Sequence, residues 1–232
     1  MRTCVFYLVF MPLTLVMTLL GIPIALTGAD RMHSWARLWG RCGLFLGGAR
    51  LVITGLEHVP PDQPVIFMPN HQSNFDILAL LAGIPGQFRW LAKAELFRVP
   101  LFGMTMRHAG YIPVERSDRR KSMESMKTAA ARIAEGTSVV IFPEGTRSDD
   151  GKLLEFKKGG FMMALQSGVQ IVPMAIQGSY DILPKQRYRV RGGTIEVTFF
   201  PPLTTADRSI RQIGALIEEV KAPIAKSLGE AA

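Results

Sequence analysis

Two short segments of this 232-residue chain carry side chains that could do chemistry together: Asn70-His71-Gln72-Ser73-Asn74-Phe75-Asp76 and, about seventy residues later, Phe142-Pro143-Glu144-Gly145-Thr146-Arg147-Ser148. The first offers an imidazole and a carboxylate. Residues five apart on a helix are turned by about 140° from each other, so His71 and Asp76 can meet only if the histidine sits in a turn ahead of the helix. From the first turn Asp76 can then accept the Nδ1 hydrogen, leaving Nε2 to take a proton from a hydroxyl. A carboxylate so placed fixes the tautomer and stabilises the imidazolium, with the substrate's own alcohol as nucleophile. Ser73 lies outside any G-x-S-x-G elbow and is read as a cap for the helix rather than as a covalent nucleophile.

The second segment sets an acid and an arginine in a glycine loop. Arg147 can bind a phosphate by a bidentate fork, and Glu144 orders the loop or holds acceptor hydroxyls. A base paired with an anion clamp suits the movement of an acyl group onto a hydroxyl of a phosphate-bearing acceptor.

The elements around these segments must bring them together. Strands are expected at Arg50 to Thr54, Val65 to Met68, Phe88 to Ala92, Tyr111 to Val114, Ser138 to Phe142 and Ile171 to Gln177. Helices are expected at Phe75 to Leu81, Phe102 to Arg107, Ser122 to Glu135, Gly160 to Gln166 and Asp207 to Leu228, with a shorter helical piece at Glu95 to Phe97. Arg187 to Arg191 and Thr194 to Phe199 read as a hairpin around Gly192-Gly193. The alternation predicts an α/β fold: a mixed, largely parallel sheet flanked by helices, with an N-terminal membrane-embedded helical segment. His71 then follows the second strand, and Glu144 to Arg147 follow a later one, at the strand ends where open α/β sheets hold their ligands.

Thr3 to Ala29 contains no charged residue, and as a helix this 27-residue run would be about 40 Å long, enough to span a bilayer. Pro12, Gly21 and Pro23 interrupt it, so a straight span and a kinked helix in one leaflet both remain open. The run is too long for the core of a cleaved signal peptide. Asp30 is the expected N-cap of a second helix, on which Trp35, Leu38, Trp39, Cys42 and Leu46 keep helical spacing while Arg31, Arg37 and Arg41 lie towards another face. Tryptophans beside arginines suit a headgroup layer, packing on the catalytic domain being the alternative. Three arginines follow the apolar run against only Arg2 before it, which places the body of the protein in the cytoplasm. The expected organisation is residues 1–47 as membrane-anchoring helices and residues 48–232 as the catalytic domain.

Composition narrows the partners. A formal net charge of +8 suits anionic lipid, acidic substrates or nucleic acid, but no nucleic-acid module is present and no nucleic-acid partner is expected. Cys4 and Cys42 form no CxxC pattern and no zinc spacing, and no metal is expected. His33, His58 and His108 lack spaced acidic partners and are read as structural or solvated. Arg187, Arg189 and Arg191 alternate with Tyr188 and Val190, as on one face of a strand, either as a charged edge or as a contact for anionic lipid.

His71-x4-Asp76 and Phe142-Pro143-Glu144-Gly145-Thr146-Arg147 resemble the first and third motifs of the glycerolipid acyltransferase family, in particular its 1-acylglycerol-3-phosphate acyltransferases. Gly110-Tyr111-Ile112-Pro113-Val114-Glu115-Arg116 is similar to the second motif, ending in an acceptor-binding arginine, and Val169-Gln170-Ile171-Val172-Pro173 to the apolar fourth. The likeness runs from about Gly55 to Pro202, with Pro113 and Gln170 departing from the residues usual there. It implies His71 and Asp76 as the catalytic pair and Lys93, Arg116, Glu144, Gly145, Thr146 and Arg147 as the acceptor and phosphate site. Phe156-Lys157-Lys158-Gly159 resembles the family's basic stretch, with a phosphate or membrane contact implied.

The implied reaction moves a fatty acyl group from acyl-CoA or acyl-carrier protein to the free hydroxyl of 1-acylglycerol-3-phosphate, giving phosphatidic acid in a membrane. The expected partners are thus a lysophospholipid acceptor, an acyl thioester donor and membrane lipids, with no cofactor beyond the donor. Another lyso-lipid acceptor, such as a lyso-ornithine lipid, and a catalytically inactive lipid-binding scaffold are the competing readings.

Overall fold

The computed structural model describes residues 1–115 and 119–230. The chain opens with two long helices, α1 (Arg2–Ala25) and α2 (Ala29–Gly47), and then enters a seven-stranded sheet. In chain order follow β1 (Ala49–Thr54), β2 (Val65–Pro69), α3 (Phe75–Gly83), β3 (Arg89–Lys93), a 3-10 turn (Ala94–Arg98), α4 (Phe102–His108) and β4 (Ile112–Val114). The second half holds α5 (Arg119–Ala134), β5 (Val139–Val140), α6 (Lys158–Ser167), β6 (Gln170–Gln177), α7 (Ser179–Ile182), β7 (Gly193–Phe199) and α8 (Ile213–Leu228).

The strand order is β1-β7-β6-β2-β5-β3-β4, parallel at every pairing except β6 with β7. The sheet is therefore mixed and largely parallel. All of β2 is buried, as a central parallel strand covered on both faces must be. Its alternation divides the core: Phe67 joins one cluster with α1 to α4, while Ile66 and Met68 join another with α5, α6 and α8. Helices thus cover both faces.

Three expectations need correction. Residues 187–191 pair with no strand: β7 bonds to β1 on one side and β6 on the other, so both its edges are taken and no hairpin forms. Ile195, Val197 and Phe199 are almost wholly buried, which demands that interior place. The last helix starts at Ile213, after a 3-10 turn whose Ser209 and Gln212 form a capping box. The N-cap of α2 is Gly28; Asp30 sits in the first turn and pairs with Arg89 at the start of β3.

α2 also buries a different stripe from the one its aromatic spacing suggests. Leu38 is exposed, while Gly40, Gly43 and Gly47 face α3. A Cβ on Gly40 would come within 2.9 Å of Leu81 and one on Gly43 within 2.8 Å of Leu78, and one on Gly47 would overlap the Phe75 ring. This glycine seam lets the two helices approach closely. Trp35 and Trp39 turn to α1 instead, donating their indole N–H groups to the Met17 carbonyl (2.8 Å) and Thr14 Oγ1 (2.9 Å). Each partly buried indole N–H thus finds its acceptor on α1.

α1 is one helix despite Pro12 and Pro23, and by length and composition it could cross a membrane. Phe6, Phe10, Met17, Gly21 and Ala25 are buried along its length, while Val5, Leu8, Val9, Met11, Leu15, Val16, Leu19 and Leu20 are exposed.

Candidate active site

β2 delivers its last residues to the edge of a chamber. Asn70 is fully buried and pairs with the backbone of Ile176 on β6, its Oδ1 accepting from N–H at 2.7 Å and its Nδ2 donating to C=O at 3.0 Å. That bidentate clamp fixes the chain where it leaves the sheet, and His71 comes next. α3 begins at Phe75 with Asp76 in its first turn, a position favourable to a carboxylate at the positive end of the helix dipole.

Asp76 is completely buried and its Oδ2 accepts three hydrogen bonds, from His71 Nδ1 (2.7 Å), Gln72 N–H (2.7 Å) and Ser73 N–H (2.8 Å). An oxygen already accepting two N–H groups faces the imidazole as an acceptor, so Nδ1 bears a hydrogen, and in the neutral ring the lone pair then falls on Nε2. The His71 ring stacks on Phe142, with centroids 3.8 Å apart and planes 15° from parallel. Its orientation is thereby fixed from two sides. Ser73 is not the N-cap, which is Asn74; its buried hydroxyl accepts from Phe75 N–H and donates to the Leu183 carbonyl.

The second loop follows β5 and is sewn onto the first. Glu144 is 2% exposed; its Oε1 accepts from His71 N–H at 2.6 Å and its Oε2 from Leu154 N–H at 3.0 Å. The Ser148 N–H donates to the His71 carbonyl at 2.8 Å, and Gln72 Nε2 to the Gly151 carbonyl at 2.6 Å. Both backbone groups of His71 are therefore held by the Glu144–Ser148 loop. Of the two roles expected for Glu144, its geometry fits the ordering of loops: each oxygen accepts from a backbone N–H of a different segment. Burial pushes its carboxyl up to about 7 against the pull of those two bonds.

His71, Lys93, Gly145, Thr146 and Arg147 line one cavity of about 680 Å³ that runs beneath α1 and α2 between walls that include Phe10, Met17, Trp35, Phe75, Met106 and Tyr111. The lining mixes the cationic Lys93 and Arg147 with a majority of apolar side chains. Gly145 takes φ 70 in the turn, with the Lys157 ammonium close beside it: an added Cβ would meet Nζ at 2.9 Å. Lys93 is exposed and pairs with Glu95 at 3.2 Å. Arg116 lies outside the described residues. Asp76 and Glu144 are not among the residues that line the cavity; both bond to His71.

Asn70, Phe142 and Gln72 position the histidine without having been singled out beforehand. A buried polar residue ending a strand and an aromatic before a loop have ordinary sequence signatures; only their partners make them distinctive. His33 bonds Tyr111 Oη, His58 the Phe199 carbonyl and His108 the Met104 carbonyl, so each serves the fold. Burial pushes the His33 imidazole down to about 3. Among the described residues no three His, Cys, Asp or Glu converge as a metal would require.

Comparison with known proteins adds a family and a fold. A family model described as Acyltransferase matches residues 50–177. The chloroplastic 1-acyl-sn-glycerol-3-phosphate acyltransferase LPAT1 of Arabidopsis thaliana is 33% identical over 198 residues, covering 84% of this chain and 54% of its own. The 1-acyl-sn-glycerol-3-phosphate acyltransferase alpha of Homo sapiens is 33% identical over 178 residues, covering 76% of this chain and 63% of its own. The chain thus spans only about half to two thirds of these curated relatives. The crystal structure of the 1-acyl-sn-glycerophosphate acyltransferase PlsC from Thermotoga maritima superposes with a TM-score of 0.79 at 26% identity, covering 100% of this chain and 96% of that one.

Proposed function

The chain belongs to the acyltransferase family, and from that premise we propose that it transfers a fatty acyl group from a thioester, acyl-CoA or acyl-carrier protein, to the free hydroxyl of 1-acylglycerol-3-phosphate, giving phosphatidic acid. The observation that carries the reading is the junction at His71: an imidazole oriented by Asp76 opens onto a chamber lined by Lys93, Arg147 and many apolar side chains. A volume of about 680 Å³ suits a small-molecule site, and apolar walls suit an acyl chain.

In this mechanism Nε2 of His71 removes the proton of the acceptor hydroxyl as its oxygen attacks the thioester carbonyl. Asp76 stabilises the imidazolium, and collapse of the tetrahedral intermediate breaks the carbon–sulfur bond while the imidazolium returns its proton to the leaving thiolate. Arg147, with Lys93 and Arg116, holds the acceptor phosphate. Glu144 keeps the two loops in register. The chemistry needs neither a metal nor a cofactor besides the donor.

We place α1 in one leaflet with the catalytic domain on the cytoplasmic side. Support comes from α1 being buried against the protein along one face throughout its length while its other face is apolar and exposed. The arginines after the apolar run favour that orientation.

The test is turnover by the purified protein with one acyl-CoA and a panel of lysophospholipids, including 1-acylglycerol-3-phosphate and a lyso-ornithine lipid, beside a His71→Ala control. Preference for the first acceptor and a loss of roughly 10²–10⁴-fold in the control are expected. Near-normal transfer by folded His71→Ala would overturn the mechanism, and preference for another panel member would reassign the acceptor.

A further inference from the structure

The segment between α7 and β7 makes only one bridge among the described residues, Pro184 to Ser73, and is yet tightly fixed. Its first part closes a turn, Arg187 N–H donating to the Pro184 carbonyl at 3.1 Å with Gln186 at φ 60. Lys185 reaches across to the Arg147 carbonyl (2.9 Å) and Asp149 (3.0 Å), tying this end to the loop that lines the cavity. At the other end Val190 is buried, its N–H donating to Thr3 Oγ1 at 3.2 Å and its carbonyl accepting from that hydroxyl at 3.3 Å. A strap therefore joins the candidate site to the N-terminus of α1.

What the strap displays between its anchors is unusual. Arg187, Tyr188 and Arg189 are exposed, Tyr188 to 79%, and Arg191 is exposed just beyond Val190. Among the described residues none of these three arginines has an ion-pair partner. The guanidinium of Arg2 adds to them, lying over the backbone of Gly48 and Gly192, where a Cβ on Gly192 would overlap it. Unpaired cations gathered this way repel one another and lower stability unless an anionic partner is present. Beside them begins the exposed apolar face of α1, with Val5, Leu8 and Val9.

We propose that the 184–191 strap is a docking site for the anionic lipids of a membrane surface, and that it sets the height of the cavity's cationic residues at the headgroup layer. A soluble acidic partner would neutralise the arginines but leave the adjoining face of α1 in water. An anionic bilayer covers both at once: the apolar face enters the acyl region, the tyrosine lies at the boundary, and the guanidiniums meet phosphates. The Lys185 link then transmits that height to the Arg147 loop. This rests on the reading that α1 enters a leaflet.

The experiment is flotation of the full chain with vesicles of phosphatidylcholine alone or mixed with phosphatidylglycerol, at low and high salt, comparing wild type with R187Q/R189Q/R191Q. Wild type is expected to partition onto both and to favour anionic vesicles by at least about tenfold at low salt, a preference that shrinks as salt rises. The triple variant should lose that preference, keep its binding to neutral vesicles, and keep its turnover of detergent-dispersed lysophospholipid. The last readout certifies its fold.

Wild type without an anionic preference, or a variant that retains it, overturns the proposal. Failure of wild type to bind neutral vesicles overturns the α1 reading instead. A variant with unchanged vesicle binding and a raised KM for an acyl-carrier-protein donor would also overturn it, reassigning the strap to the donor's carrier.

Discussion

At the scale of the residue, the site's two buried acids differ: Glu144 has both oxygens taken by backbone donors, while Asp76 gathers three bonds on Oδ2 and, among the described residues, none on Oδ1. Glu144 accepts one backbone N–H on each oxygen, so Glu144→Gln is nearly isosteric but places an amide NH₂ against either His71 N–H or Leu154 N–H. Two facing donors cost about 1–3 kcal/mol, and the variant should lose both melting temperature and kcat. The wild-type carboxyl has a sign that can be checked. Its folded-state pKa is raised from 4.5 to about 7, so the native state holds the extra proton and the associated stability is complete below about 4.5 and lost as pH climbs through about 7. The stability advantage of wild type over Glu144→Gln should therefore shrink over that window in denaturation series. Arg147→Ala should act elsewhere, raising the acceptor KM more than the thioester KM, since a charge-assisted phosphate contact contributes roughly 1.5–3 kcal/mol. Steady-state kinetics varying each substrate would show this; the reverse pattern would move Arg147 to the donor. His71 and Asp76 were legible because a base and its orienting acid announce themselves by type and spacing. Asn70 was not: any asparagine ending a strand looks alike until Ile176 is seen beside it.

Elements show where periodicity succeeds and where it misleads. β2 and α3 lie within two residues of their expected bounds, because a short apolar run followed by a turn and a helix start leaves little freedom. The spacing of Trp35, Leu38 and Trp39 suggests one inward face for α2, yet glycines set its approach to α3, and they carry no hydrophobic signal and act only through what a neighbour can approach. That seam presses on Phe75, the residue before Asp76. Gly47→Ala should collide with the Phe75 ring, shift the start of α3, and cost about 1–3 kcal/mol of stability together with activity. Phe75→Leu should partly rescue it, and a double-mutant cycle of melting and turnover would measure the coupling. Additive losses would mean the seam does not steer the catalytic helix.

Across the whole molecule, the site draws on segments remote in sequence. Leu153 N–H donates to the carboxylate of Glu230 at 3.1 Å and the next N–H, of Leu154, to Glu144, so Glu230, just past α8, and Glu144 hold adjacent N–H groups of one backbone segment. Glu230→Ala should lower kcat by roughly three- to tenfold with little change in melting temperature, while Glu230→Gln, which still accepts a hydrogen bond, should retain most of it. Equal losses in the two variants would assign the effect to charge rather than to the bond. The strap reaches the other way, to the first turn of α1.

The sequence by itself determined the α/β class, the order of most strands and helices, the long apolar N-terminus and the pairing of His71 with Asp76, because each depends on neighbours a few residues apart. The tertiary structure alone decided that residues 187–191 are no strand, that α2 faces inward by its glycines, that Glu144 is a strut between loops, and that one chamber gathers His71, Lys93 and Arg147. The physical reason is common to all four. Strand pairing, close helix approach, the satisfaction of a buried carboxylate and the shape of a cavity are settled by groups far apart in the chain, and no local pattern records which of them will meet.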